Sequence, residues 1–316
     1  MQNFAKKSPL FTRLAIVTAL LTLGLIVFGA VVRVTDSGLG CGNHWPLCNG
    51  TVIPPLDNLT AWIEWLHRLF AILIGLLGIA TLVVAIRAYR ARNRVVLGTT
   101  IIAALLFALQ STLGAIVVVF DLPPTMVTLH LGTAMLLLGS LLLAAVFATY
   151  QPLEHYKADR VTSLAYVTAA LSLVIILTGA LVRGSGATLA CIDWPLCNGE
   201  IIPTNQGQLA VIHMTHRFAV LAFGIALCLL VYFVYRDRRN PRVRLLAVIA
   251  LLTYLTQSAV GALFVVTGAA PIWGAAHVGL AASAWAVLVV LSAVEWMNSR
   301  EGSVEAIWKP RSEALS

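Results

Sequence analysis

Four histidines, His67, His130, His216 and His277, recur along the chain as two matched pairs. A neutral imidazole is an axial ligand for iron, and two from different helices can hold a haem between them. The alternative for each ring alone is a hydrogen bond to a neighbouring helix. Recurrence in pairs favours haem ligation, and a zinc site is disfavoured because no Cys lies at ligand spacing on the same segments. Glu64 stands three residues before His67, on the same helical face, whereas His213 stands three before His216. A carboxylate beside one pair and not the other implies two sites with different tasks. Glu64 is suited to acid/base work or to stabilising positive charge; the alternative is a carboxylate held at a helix start by the macrodipole.

Arg33 and Arg183 end apolar runs, and Arg68 and Arg217 directly follow a histidine of the set. Haem carries two propionates, which suit the arginine fork; snorkelling to the membrane interface is the competing reading. Cys41 and Cys48 share one loop, and Cys191 and Cys197 another, each pair able to close an intraloop disulfide. A structural clip and a reversible redox role both stand open. Cys228 lies inside an apolar run and is expected to pack there. His44 and His155 fall in loops.

What positions these residues follows from composition. The chain has 316 residues, of which 59% are hydrophobic and only 11% charged, with mean hydropathy +0.91. A water-soluble fold could not bury so much apolar chain, since single cores stop growing at about 250–300 residues. Eight stretches are long and apolar enough to cross a bilayer, at roughly 13–33, 64–86, 95–119, 128–150, 162–182, 209–235, 245–268 and 274–298. The expected fold is an all-α integral membrane protein with eight transmembrane helices.

Basic residues gather on one face: Lys6, Lys7 and Arg13, the loops Arg87 to Arg94, Lys157 to Arg160 and Arg236 to Arg244, and Arg300, Lys309 and Arg311. The positive-inside rule makes that face cytoplasmic and places both termini there. With Glu154, Asp159, Asp237, Glu295, Glu301, Glu305 and Glu313 it carries +10, leaving −2 outside. The overall +8 is thus a sum of two unlike surfaces. No Lys/Arg stripe runs along a polar helix, so nucleic acid is not an expected partner, and anionic lipid headgroups are. The first run follows a basic start but continues through Arg33 without a small-residue cleavage site, and reads as a retained span in a prokaryotic cytoplasmic membrane.

The chain also repeats itself. GAVVR (Gly29 to Arg33) returns as GALVR (Gly179 to Arg183), and WPLCNG from Trp45 returns from Trp194. His67-Arg68 matches His216-Arg217, Gln110-Ser111-x-x-Gly114 matches Gln257-Ser258-x-x-Gly261, and His130-x-Gly132 matches His277-x-Gly279. A repeat of four spans keeps its orientation, so residues 1–150 and 151–316 are expected to form two four-helix bundles related by a pseudo-twofold axis along the membrane normal. The four histidines would then sit in the first turns of the even-numbered helices, at one depth near the outer surface. The two long loops, roughly 34–63 and 183–208, lie on that side, and long ordered loops are usually functional.

GAVVRVTDSGLGC, WPLCNG and EWLHR (Glu64 to Arg68), with their second copies GALVR, CIDWPLCNG and THR (Thr215 to Arg217), resemble the haem A synthase family across nearly all of 1–298. Cysteine pairs in both outer loops resemble one branch of it. The resemblance implies oxidation of the ring D methyl of haem O to a formyl group in two steps, giving haem A for terminal oxidases. It implies that the half with His67 and His130 receives haem O, with Glu64 as catalytic carboxylate. The half with His216 and His277 would keep a haem b cofactor, and an upstream haem O synthase is an implied partner. One departure is visible: the first loop reads Cys41-Gly-Asn-His44-Trp45, a residue longer than Cys191-Ile-Asp-Trp194 and lacking its Asp. Two rivals fit part of the pattern. A di-haem electron carrier to or from quinone needs the histidines but not Glu64, and a quinone-linked thiol oxidoreductase needs the cysteines but no haem. A transporter is weaker, because the ionisable residues lie to one side rather than at mid-depth.

Overall fold

A computed structural model describes residues 8–299. It contains eight long helices: α1 Pro9–Val34, α2 Leu59–Tyr89, α3 Arg94–Val119, α4 Pro124–Thr149, α5 Arg160–Gly184, α6 Gln208–Asp237, α7 Pro241–Val266 and α8 Pro271–Asn298. All eight are long and apolar enough to cross a membrane, and the chain is a multi-pass membrane protein. Among the described residues the only extended pairings are two isolated bridges, Cys48 with Thr51 and Cys197 with Glu200. Lys6, Lys7, Arg300, Glu301, Glu305, Lys309, Arg311 and Glu313, used above to orient the chain, lie outside the described residues.

Several helices begin earlier than the apolar runs suggest, because capping and proline chemistry extend them beyond the membrane core. Asn58 caps α2 by accepting from the Ala61 N–H, and prolines open α1, α4, α7 and α8, where their missing N–H costs nothing. One expectation is therefore corrected. His67 and His216 lie about 12 Å along their helices, and His130 and His277 about 9 Å, at a rise of about 1.5 Å per residue. They sit in the second and third turns rather than the first.

The packing is two rings joined along one seam. Helices α1 to α4 pack in order with α1 closing against α4, and α5 to α8 do likewise; α1 meets α8, α4 meets α5, and α4 meets α8 between them. Exchanging the two sets of four helices maps this pattern onto itself. The exchange extends to single contacts: a Cβ at Gly132 would lie 3.1 Å from Leu177, and one at Gly279 would lie 3.1 Å from Val27. The glycine of each His-x-Gly motif thus lets the opposite half approach closely. At the centre, the Trp285 indole N–H donates to the Met135 carbonyl at 3.0 Å.

At the opposite end from the histidines, the second ring is tied by a polar cluster. Arg238 is buried and donates to Glu295 Oε2 at 2.8 Å and to Asp159 Oδ1 at 2.7 Å. Its guanidinium lies 3.8 Å from the Tyr156 ring centroid, and the Tyr156 hydroxyl donates to Glu295 Oε1 at 2.7 Å. The segment between α4 and α5 is thereby fastened to the ends of α6 and α8. Against the cost of burial, the hydrogen bonds that Arg238 donates to Asp159 and Glu295 push its pKa upward. Burial, reinforced by Glu295, pushes the Tyr156 hydroxyl up as well.

Candidate functional site

Each of the four histidines stands on an even-numbered helix with its ring against a glycine of the preceding helix. A Cβ on Gly29 of α1 would lie 3.1 Å from His67 Nε2, one on Gly114 of α3 3.2 Å from His130 Cε1, one on Gly179 of α5 3.2 Å from His216 Cε1, and one on Gly261 of α7 2.7 Å from His277 Cε1. These are the glycines that mark the repeat, and their missing side chains leave the space the rings occupy. His67 and His130 are within electrostatic reach of each other, as are His216 and His277.

The donor set fits bis-histidine haem. Paired neutral imidazoles on facing helices are suitable axial ligands, the glycines seat them, and the buried His130 Nδ1 has no hydrogen-bond partner. Among the described residues no cluster of three or more His, Cys, Asp or Glu side chains is placed to hold a bare metal ion. Gln110 Nε2 lies 3.0 Å from His130 Nε2, and Gln257 Nε2 lies 3.3 Å from His277 Nε2. The repeated glutamines thus meet the ring nitrogens in both halves.

The outer loops sit over these pairs. Cys41–Cys48 and Cys191–Cys197 are bridged within their own loops, and all four cysteines are fully buried. Both Trp-Pro bonds of the WPLC turns are cis. The first loop is pressed onto α2 at Gly40, where a Cβ would lie 2.3 Å from the Thr60 carbonyl carbon. Glu64 is buried, 3% exposed; its Oε2 accepts the Cys41 N–H at 2.8 Å, and its Oε1 pairs with Arg68 one turn on.

The arginines divide into two kinds. Arg68 donates to the carbonyls of His44 at 3.1 Å, Leu47 at 3.2 Å and Pro46 at 3.3 Å. Arg217 donates to the Pro195 carbonyl at 3.3 Å and to that of Leu196. Both guanidiniums hold the WPLC turns down onto the helices, a role that neither propionate binding nor snorkelling anticipates. Arg33 and Arg183 instead stand in the last turns of α1 and α5. They interact with each other, and Asp36 lies 3.6 Å from Arg183.

Asymmetry between the halves is local. Where Glu64 meets Arg68, His213 Nε2 lies 3.4 Å from Arg217, and the buried His213 Nδ1 has no partner. Asp193, which the first loop lacks, accepts from the backbone N–H groups of Asn198 at 2.5 Å and Gly199 at 2.9 Å. Those bonds, that of Gly199 foremost, hold this exposed carboxyl below its usual range. Its work is to fold its own loop. Cys228 does not pack inside: it is exposed on the outer surface of α6, beside Tyr232 and Tyr254.

Sequence reasoning missed Thr178. Its hydroxyl lies 2.9 Å from His216 Nδ1, and it occupies the position before GALVR that Phe28 occupies before GAVVR. Aligning the repeat one residue further would have found it.

Residues 12–289 match the COX15-CtaA family, described as cytochrome oxidase assembly protein. The haem A synthase of Shouchella clausii (strain KSM-K16) is 33% identical over 265 residues, covering 81% of this chain and 86% of that protein. That of Geobacillus kaustophilus (strain HTA426) is 34% identical over 260 residues, covering 79% and 80%. That of Symbiobacterium thermophilum (strain DSM 24528 / JCM 14929 / IAM 14863 / T) is 33% identical over 291 residues, covering 87% and 91%. The chain belongs to the COX15-CtaA family of cytochrome oxidase assembly proteins.

Proposed function

We propose that this chain is a haem A synthase, an oxidoreductase of the cell membrane that converts the ring D methyl of haem O to a formyl group. The observation that carries the reading is the repeated seat: four helix-borne histidines in two pairs, each against a glycine. Residues 1–150 form the substrate half and 151–316 the cofactor half, related by a pseudo-twofold axis along the membrane normal, with both termini cytoplasmic. The matched packing on either side of the α4–α8 contact supports that division.

In the first half, His67 and His130 bind haem O as substrate and orient it. Glu64, a helical turn before His67, is the group proposed to take up protons as the methyl carbon is oxidised twice, two waters supplying oxygen and four electrons passing to an outside acceptor, before the resulting diol loses one water. Its carboxylate is preorganised by the Cys41 N–H and by Arg68. The disulfide-closed loop is docked on this end through the Cys41 N–H and Glu64. In the second half, His216 and His277 hold haem b, which supplies one-electron redox chemistry when bound. Arg33 and Arg183 are the arginines suited to propionates, since Arg68 and Arg217 are engaged by loop carbonyls. An outside electron acceptor, a haem O synthase as supplier and surrounding lipids complete the partners.

Expression with a source of haem O, followed by extraction and mass analysis of the haems, tests the reading. Haem A is the expected product. Bound haem b without haem A would replace the synthase with a di-haem electron carrier.

A further inference from the structure

The two halves hold their histidines differently, and the difference lies at Nδ1. The Thr178 hydroxyl has one proton, which it donates to the Ile175 carbonyl at 2.8 Å. With that proton on the Ile175 carbonyl, the hydroxyl oxygen accepts from His216 Nδ1–H across their 2.9 Å contact. A carbonyl only accepts, so the His277 Nδ1 at 3.1 Å from the Gln257 carbonyl is also protonated. In both rings of the second half the proton is pinned at Nδ1, which leaves Nε2 as the acceptor nitrogen, met in His277 by the Gln257 amide at 3.3 Å. The first half lacks this support at His67: Phe28 stands where Thr178 would be, its ring centroid 6.0 Å from that of His67.

Resting on the reading above, we propose that Thr178 is a positioning group that makes the second half a retaining haem site, whereas Phe28 makes the first half an exchanging one. A hydrogen bond accepted from the far nitrogen fixes tautomer and ring orientation and raises the basicity of the ligating nitrogen; losing it typically lowers metal affinity about 10- to 100-fold. A cofactor that stays and a substrate that leaves as product need opposite settings. A single position of the repeat, threonine in one copy and phenylalanine in the other, provides them.

The test uses the full chain purified in detergent, with haem retention read by absorption and the midpoint potential by redox titration. Thr178→Val is expected to lower retention in the second half about 10- to 100-fold and to raise the midpoint potential, because a less basic ligand stabilises ferric iron less. Thr178→Ser should restore both. Phe28→Thr should make the first half keep haem through purification. Unchanged retention and potential in Thr178→Val overturn the proposal. If that variant does not assemble, Phe28→Thr decides alone, and no gain in first-half retention overturns it. His216→Ala separates the two levels: undiminished haem in that variant sinks the haem-site reading itself, whereas its loss beside an unaffected Thr178→Val sinks only the positioning role.

Discussion

The Glu64 carboxylate accepts the Cys41 backbone N–H at 2.8 Å while pairing with Arg68, which itself reaches three carbonyls of the same loop. One buried acid thus joins the disulfide loop to the helix that carries His67. Two functions can be separated there by substitution. Glu64→Gln keeps an oxygen for the Cys41 N–H, so the loop stays docked and haem binding persists, but the group no longer takes up protons. Formyl production is expected to fall about 10²- to 10⁴-fold, the usual worth of a general acid or base. Glu64→Ala additionally leaves the Cys41 N–H without its acceptor and takes the carboxylate from Arg68, which keeps its loop carbonyls, at a cost of about 1–3 kcal/mol. Melting in detergent beside mass analysis of haems distinguishes the variants, and unimpaired conversion by Glu64→Gln would remove Glu64 from the chemistry.

The glycine seats are graded by distance, which gives an ordered expectation. At Gly261 an added methyl would lie 2.7 Å from the His277 ring and at Gly179 3.2 Å from that of His216. The first separation forces the ring to move, whereas the second asks for a few tenths of an ångström. Gly261→Ala should therefore lose second-half haem more completely than Gly179→Ala, and both should retain their helices by circular dichroism. Equal haem content in the two variants would show that the rings shift without consequence.

Periodic and repeated features were the readable ones. Eight apolar runs gave eight helices, and the histidine pairs and intraloop cysteine pairs lay in segments whose spacing the repeat preserves. The loop contacts of Arg68 and Arg217 were not legible for a physical reason: their partners are carbonyls more than 20 residues earlier, reached only because each WPLC turn folds back over the helix. Backbone acceptors carry no sequence signature. The Arg238 cluster was equally opaque, since Asp159, Arg238 and Glu295 are far apart in the chain and counted only as inner charges until helix packing joined them. Helix starts were set late because caps and prolines are polar or turn-like and fall outside apolar windows.

Both disulfides close short loops, with sequence separations of 7 and 6, so loop-entropy arguments give each about 2–3 kcal/mol. Cys41→Ser with Cys48→Ser should lower the melting temperature, and haem A formation at a permissive temperature should survive in proportion to folded protein. The same holds for Cys191→Ser with Cys197→Ser. Loss of turnover in fully folded, haem-loaded protein would assign the pairs a redox role instead of a clip.

The Arg238 cluster predicts both a mutational and a pH effect. Glu295 is fully buried, and removing one partner of such a pair costs about 3–5 kcal/mol because the other charge is left uncompensated. Glu295→Ala should approach the lower end, since Asp159 still holds Arg238. A double change of Arg238 and Glu295 to Met removes both charges and should be milder than Glu295→Ala alone. Asp159 adds the pH dependence: hydrogen bonds from Arg238 hold its pKa below the usual 3.8. A depressed carboxyl stabilises the fold above its unfolded pKa, and that contribution disappears as pH falls through the lower folded value. The melting difference between the native chain and Asp159→Asn should accordingly be constant from neutral pH down to about 4 and close below it. A difference that instead persisted at lower pH would mean that the Asp159 side chain acts through packing or its cap on α5, not through its charge.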